Sequence, residues 1–380
     1  MDFSLTEDQR LIQETAANFA GSVLAPAAVK VASDRTLFLH NLHALAELGF
    51  MGLNVSAEYG GSDVGTVAFS LAITEIASAC ASTAVTVSVN NMVAEVIESV
   101  ADEAQKTRYL PRLCDGTYPA AGFCLTEAGA GSDPAAMRTS ATRDGDDWVL
   151  NGSKLYITSA EYAGLFVVWA VTDKTAPKGR GISCFLVEAD TPGITIGTAE
   201  KKLGQHASST NEVVFSDCRV PASALMGGEN HGYKIAVSEL TGGRIGIASL
   251  ALGLGFAAMD YAKAFIQERS QFDQKISEFQ GVQWMVADAY TELEAARLLT
   301  MQAAYNKQAG LPYAKQASMA KLYASETANK VCGTAVQLLG GAGYLEDHPV
   351  ERYLRDARIT TIYEGTSQIQ KIIVSKHLFA

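Results

Sequence analysis

Near the C-terminal end runs Ile362-Tyr363-Glu364-Gly365-Thr366-Ser367-Gln368. Glu364 has apolar and aromatic neighbours before it and a glycine after it. A carboxylate flanked this way loses hydration, which raises its pKa towards that of a useful general base. Gly365 leaves the backbone open for a substrate to approach. A plainer reading stands beside this one: Thr366 to Gln370 has the form of a helix start, and Glu364 would then be a neighbour of its cap. A second stretch, Gly129-Ala130-Gly131-Ser132-Asp133, sets small residues in a loop. Its backbone N–H groups could reach a phosphate or a ring edge, or it could be a connecting loop. Gly253-Leu254-Gly255-Phe256-Ala257-Ala258 fits G-x-G-x-x-A by letter. A dinucleotide site needs a strand before that motif and a helix start after it. Here it lies inside an Ala/Leu-rich helical run, where glycines permit close helix contact. No Ser/His/Asp set stands out. The six histidines show no metal spacing, even with His40 and His43 at i, i+3, and His206 in a polar loop reads as a surface residue. No metal site is expected.

These residues must be held by elements of changing texture. Thr6 and Gln9 have capping-box spacing, and Leu11, Ile12, Phe19, Val23 and Leu24 follow at helical intervals. Helical patterns continue through Leu42–Leu48, Val67–Ala79 and Ala94–Leu113. From about residue 121 short β-rich runs take over: Trp148–Leu150, Phe166–Val171, Ile182–Val187, Ile194–Ile196 and Val213–Phe215, separated by turn residues. Helix returns near Gly232. Ala317, Ala320, Ala324, Ala328, Val331, Ala335 and Leu338 form one helix face, which Gly340 and Gly341 end. The expected fold is α+β and multidomain. Residues 1–120 form an N-terminal helical domain, 121–228 a middle antiparallel β-barrel domain, and 229–380 a C-terminal four-helix bundle.

Composition narrows the function classes. The 380 residues are 48% hydrophobic and 19% charged, which is globular and excludes disorder and collagen. With 30 Lys+Arg against 41 Asp+Glu, the formal charge is -11. Such a chain lacks the positive field that phosphate-backbone binding requires, so nucleic acid is not an expected partner. No run of about 18 apolar residues marks a membrane span. Met1-Asp2-Phe3-Ser4 lacks the cationic start of a secretory signal, and acidic residues among the first eight argue against a transit peptide. Cys80, Cys114, Cys124, Cys184, Cys218 and Cys332 form no C-x-x-C pair and read as reduced thiols of a cytoplasmic protein.

Three blocks in order, on the α–β–α layout, carry a resemblance. They are Cys124 through Asp133 (Cys-Leu-Thr-Glu-Ala-Gly-Ala-Gly-Ser-Asp), Gln337 through Asp356 with its glycines and Arg352, and Ile362 through Gln370. Together they resemble the acyl-CoA dehydrogenase family over essentially the whole chain. Ser88-Val89-Asn90-Asn91 and Gly243-Arg244-Ile245-Gly246-Ile247-Ala248 look closest to its short-chain (butyryl-CoA) branch.

The resemblance implies a flavin enzyme that holds FAD between the β domain and the C-terminal helices, usually as a homotetramer. By position, Phe123, Leu125, Thr126, Gly131 and Ser132 should line the flavin or its phosphates. Tyr156, where the family often has Trp, and Thr158 should meet the isoalloxazine ring. Arg269, Gln271 and Phe272 match a segment that reaches FAD held by a neighbouring subunit. Gln337 and Gly341 match the adenosine and pyrophosphate end, and Thr366 and Gln368 the last FAD contacts. On the substrate side stand Ser132, Thr241, Arg244, Tyr363 and Gly365. Glu364 matches the base that removes the α-proton of an acyl-CoA while the β-hydrogen leaves as hydride to flavin N5, giving a trans-2-enoyl-CoA. Some members carry the base where this chain has Gly243, so Glu364 is the candidate here. Thr241 replaces an Asp that often contacts the pantetheine arm. Electron-transfer flavoprotein is the family's usual acceptor. Two other readings remain: an oxidase or flavin monooxygenase on the same fold, and a non-catalytic helical acyl-carrier-binding protein.

Overall fold

The T-x-x-Q spacing closes as a reciprocal cap. The Gln9 amide donates to the Thr6 hydroxyl at 3.2 Å, and the Thr6 amide donates to the Gln9 side chain at 3.0 Å. Two of the donors that a helix start leaves open are thereby satisfied. The cap opens α1 (Glu7–Phe19) in the computed structural model, which describes residues 4–379. The expectation placed on Met1, Asp2 and Phe3 lies outside the described residues. One turn, α2 (Ala25–Ala27), leads to α3 (Arg35–Glu47), α4 (Gly65–Ala79), α5 (Ala81–Val100) and α6 (Glu103–Cys114). α4 and α5 part at Cys80, whose backbone is extended. The helical pattern from Ala94 to Leu113 is broken at Ala101–Asp102, and Asp102 caps α6 through a second box with Gln105.

The middle segment contributes β1 (Ala121–Cys124), β2 (Ser140–Asp144), β3 (Asp147–Thr158), β4 (Leu165–Val171), β5 (Ile182–Glu188), β6 (Ile194–Ile196), β7 (Thr210–Pro221) and β8 (Leu225–Met226). They form one sheet in the order β6-β7-β3-β2-β4-β5-β8, with β1 added on β4. This corrects the expected antiparallel barrel: the path is open, and it is mixed. Its end strands are three and two residues long, too short to close a ring. β1 and β2 run parallel to β4. The chain between β1 and β4 includes the β2–β3 hairpin, long enough for the crossover that parallel pairing requires.

The C-terminal segment begins with α7 (Gly232–Glu268). A small hairpin of β9 (Ser270–Gln271) and β10 (Gln274–Lys275) follows, then α8 (Gln280–Gln308), α9 (Ala314–Leu339), α10 (Val350–Arg358) and α11 (Ser367–Leu378). These are three long helices and two short ones, and α4 also packs on α7 and α8. One apolar core therefore runs through both helical segments, including Leu45, Ile73, Leu254 and Leu293, all fully buried. Burying each such side chain contributes roughly 1.5–3 kcal/mol. A Cβ on Gly253 would lie 2.2 Å from the Thr74 carbonyl oxygen of α4, so this glycine serves a helix contact and not a dinucleotide turn. Among the described residues α7 is the one helix long and apolar enough to cross a bilayer, and most of its apolar stretch is packed inside the protein.

Candidate active site

After α10 the chain makes a turn that places two successive residues in left-handed conformation, Glu364 (φ 51) and Gly365 (φ 91). Thr366 then caps α11, accepting from the Ile369 amide at 3.3 Å. A left-handed Glu costs on the order of 1–3 kcal/mol and persists only where its surroundings fix it. Here the Lys321 ammonium donates to the Gly365 carbonyl at 2.8 Å. The Gln370 side chain donates to the carbonyls of Gly365 at 2.8 Å and of Glu364 at 3.2 Å. The two readings of this stretch thus coexist, with a helix cap at Thr366 and a constrained carboxyl just before it.

The Glu364 carboxyl points inward, and its Oε2 is buried without a hydrogen-bond partner. Burial pushes its pKa up to about 7, against the pull of Lys321 and Arg244. A Cβ on Gly243 of α7 would stand 2.5 Å from that oxygen and 2.7 Å from the Met92 sulfur. Arg244 is buried beside it with long contacts of 3.5 Å to the Thr241 and Ser318 hydroxyls, and its Nε has no partner. Burial lowers the Arg244 pKa, and Glu364 opposes this. One turn earlier on α7, Glu239 is pushed up to about 8 by burial and by Glu95. Lys307 pairs with Glu95. Thr241 also lines an open cavity of about 580 Å³, together with Tyr313, Lys315 and His377.

A second cavity, of about 400 Å³, lies between the sheet and the segment around α10. Tyr156, Thr158, Gln205, Arg358, Ile362 and Tyr363 are among its walls. The β3–β7 register slips between Lys154 and Ile157, and Tyr156 takes φ 58 in that bulge. Bulges re-aim side chains, and Tyr156 stands 64% exposed. Beneath it the Leu155 amide donates to the Thr126 carbonyl at 2.8 Å. That bond ties the loop after β1 to the bulge. The buried Lys154 ammonium reinforces it with bonds to Glu127 at 2.8 Å and to the Leu125 carbonyl at 3.3 Å. Across the cavity, Gln205 donates through its side chain to the Tyr363 hydroxyl at 3.3 Å and through its backbone to Asp356 at 2.5 Å.

The structure brings Thr241, Arg244, Tyr363, Glu364 and Gly365 into one neighbourhood, with Thr366 heading the adjacent helix. Tyr156 and Thr158 share the second cavity with Tyr363. Phe123 instead stacks on Trp169 at 4.3 Å between ring centroids, and Leu125 is buried. Neither they nor Thr126, Gly131 and Ser132 line that cavity. Arg269, Gln271, Phe272, Gln337, Gly341 and Gln368 are exposed on the single chain and lie apart from it. Sequence reasoning missed Lys321, Gln370, Gln205 and the Lys154–Glu127 pair. Lys321 carried a signal: it shares the helix face of Ala317, Ala324 and Ala328, where a charge is out of place.

The second cavity suits a flat, partly apolar ring system with a polar edge. Ile359, Ile362 and Val85 supply apolar wall, Thr158 and Ser208 supply hydroxyls, and Lys201, Lys202, Arg355 and Arg358 supply positive charge. The neighbouring Ser209 hydroxyl is buried and unpartnered. A Cβ on Gly131 or Gly341 would meet nothing within 4 Å, so neither loop is closed against its own fold. The residues present fit FAD.

Comparison with known proteins finds three domains in order along the chain. Family models described as acyl-CoA dehydrogenase N-terminal, middle and C-terminal domains match residues 6–117, 122–218 and 230–379. The short-chain specific acyl-CoA dehydrogenase of Clostridium acetobutylicum is 43% identical over 381 residues, covering 100% of both chains. The butyryl-CoA dehydrogenase structure from Megasphaera elsdenii superposes with a TM-score of 0.96 at 39% identity, again covering 100% of each. A chain solved in work on the electron transferring flavoprotein of Acidaminococcus fermentans gives 0.96 at 43% identity, covering 100% of this chain and 99% of that one. The chain belongs to the acyl-CoA dehydrogenase family and is similar to its short-chain members.

Proposed function

We propose that this protein is an FAD-dependent dehydrogenase that converts a short- or medium-chain acyl-CoA to the trans-2-enoyl-CoA, with Glu364 as the base. The observation that carries this reading is the Glu364 carboxyl: inward-facing, unpartnered at Oε2, and pushed by burial to about 7. The α-hydrogen of a thioester is weakly acidic, so its removal needs a positioned base matched to neutral pH. Glu364 takes that proton on Oε2. Arg244 and Lys321 favour its carboxylate form beforehand. The fixed left-handed turn keeps the carboxyl from swinging away, which is worth orders of magnitude in effective concentration. Thr241 and Arg244 stand on the substrate side, with Ser132, Tyr363 and Gly365.

FAD, when bound, supplies the acceptor for the β-hydride. Tyr156, Thr158, Thr366 and Gln368 would hold it, with Phe123, Leu125, Thr126, Gly131 and Ser132 along the loop after β1. Arg269, Gln271 and Phe272 of a neighbouring copy, and Gln337 and Gly341, would complete the site in a homotetramer. Their exposure on the single chain supports that assembly. Electron-transfer flavoprotein is the proposed acceptor, a reading supported by similarity to the Acidaminococcus chain. Domain limits at 1–120, 121–228 and 229–380, a place in fatty acid β-oxidation and a cytoplasmic setting belong to the same proposal. Six buried, unbridged cysteines are compatible with that setting.

The test is anaerobic bleaching of the bound flavin against acyl-CoAs of graded length and branching. Wild type should bleach with short members of the panel. Glu364→Gln should keep its flavin and lose the bleaching, by about 10³-fold or more in rate. Wild-type turnover in that variant would overturn the base assignment. Hydrogen peroxide released in step with substrate would favour an oxidase, and a colourless protein the non-catalytic reading.

A further inference from the structure

Lys321 lies on the inward face of α9 and is fully buried. A buried ammonium is costly unless it is paired and hydrogen-bonded. Its hydrogen bond goes to the Gly365 carbonyl at 2.8 Å, one residue past Glu364. The Gly365 carbonyl and the left-handed φ of both residues fix where the Glu364 carboxyl can point. The Gln370 amide shares the same carbonyl, so the turn is held from α9 and from α11 together.

We propose that Lys321 is the positioning residue for Glu364: it pins the 364–365 turn through the Gly365 carbonyl and sets the charge balance around the carboxyl. The inference rests on Glu364 being the base. Other charged groups act on the same carboxyl. Arg244 faces it from α7, as does Glu239, which also feels the charges of Glu95 of α5 and Lys307 of α8. Tyr363 adjoins it in the same turn, and Glu326 of α9 faces Lys321. Of the opposing cations, Lys321 acts most strongly on Glu364, ahead of Arg244. Burial in turn lowers Lys321 to about 8, with Glu364 pulling it back up.

The signs give an acid limb. Glu364 accepts a proton only when ionised, so kcat/KM rises with pH through about 7. The charged Lys321 holds that limb down, and removing the cation raises it, because the carboxylate then loses its nearest opposing charge. Because the two groups interact, the observed midpoint belongs to the pair.

The experiment uses the flavin-loaded enzyme and measures kcat/KM against pH for wild type, Lys321→Met and Lys321→Arg. An infrared titration of the Glu364 carboxyl band, identified by its loss in Glu364→Gln, accompanies it without substrate. Lys321→Met removes the cation, so the acid limb and the carboxyl band should both move up by about one pH unit or more. Lys321→Arg keeps the charge, so the acid limb and the carboxyl band should stay near their wild-type positions. A Met variant that binds flavin with limb and band unmoved would overturn the proposal. If that variant does not fold, Lys321→Gln takes its place, and an unmoved limb and band there overturn the proposal. Failure of wild type to turn over any acyl-CoA, or full turnover by Glu364→Gln, would instead sink the proposed function.

Discussion

The Glu364 carboxyl occupies space that a side chain on Gly243 would take. Built at that position, a Cβ comes within 2.5 Å of Oε2 and 2.7 Å of the Met92 sulfur. The Met92 thioether can bend aside, whereas the Glu364 carboxyl hangs from a turn fixed at three hydrogen bonds. Gly243→Ala should therefore displace the carboxyl more than it disturbs the fold. Overpacking costs about 1–3 kcal/mol, and misplacing a reacting group by about 1 Å costs up to about 100-fold in rate. The expected result is a 10- to 100-fold fall in kcat/KM, roughly, with cooperative unfolding retained. Stopped-flow flavin reduction and a thermal melt measure the two effects. An unchanged reduction rate would mean that the carboxyl sits elsewhere when substrate is bound. Gly243 also leaves room for the proposed base: a bulkier residue at 243 and a carboxyl from the 364 turn compete for one volume.

At the scale of elements, the loop after β1 is held to β3 by an ion pair inside the sheet domain. Glu127 accepts from Lys154 at 2.8 Å and from the amides of Arg138 at 2.6 Å and Thr139 at 3.0 Å. Burial raises the Glu127 pKa, but Lys154 and these donors outweigh it and hold the carboxyl below its ordinary range. A depressed carboxylate stabilises the fold above its unfolded pKa, and that contribution is lost as pH falls through the folded value. Lys154→Met leaves a buried charge without its partner, which costs about 3–5 kcal/mol. Urea unfolding should show that loss, and flavin should leave more readily, because Tyr156 and the Thr126 loop share the same anchor. Exchanging Glu127 for Leu as well should recover part of the stability. A single variant as stable as wild type would contradict the anchoring role. These contacts also show what the sequence could reveal. The alanine face of α9 and the longer strands were legible because their periodicity is local. β1 and β8 were not: Ala-Gly-Phe-Cys and a two-residue strand carry little propensity, and only their partners make them strands. Lys154 and Lys321 interrupt apolar patterns, which marks each as out of place, but the partner each meets lies far along the sequence. The Glu364 turn was legible because it is one continuous segment, whereas Gln205 reaches Tyr363 from a distant loop.

Across the whole molecule, apolar surface is left uncovered on one part of the helical segment. Phe272 at the tip of the β9–β10 hairpin is 88% exposed, and Trp284 on α8 is 60% exposed. Phe272 and Asp273 both have positive φ (54 and 58), the geometry of a two-residue hairpin turn that ordinarily favours Asn-Gly. A phenylalanine there pays steric strain while touching little of its own chain beyond the edge of Phe279. A neighbouring copy that buries the ring would return roughly 1.5–3 kcal/mol per site. Arg269 and Gln271 flank it, so the same contact would deliver polar groups to the neighbour's FAD in the proposed homotetramer. Phe272→Asp puts a charge into that contact and leaves the chain's own core untouched, so single-chain folding should change by no more than about 0.5 kcal/mol. Light scattering after gel filtration should show a shift from tetramer to smaller species as the protein is diluted, and flavin content should fall in parallel. Circular dichroism should stay as in wild type. Tetramer mass and full flavin content in this variant at low concentration would remove the hairpin from the interface, and with it the route by which one copy completes the site of another.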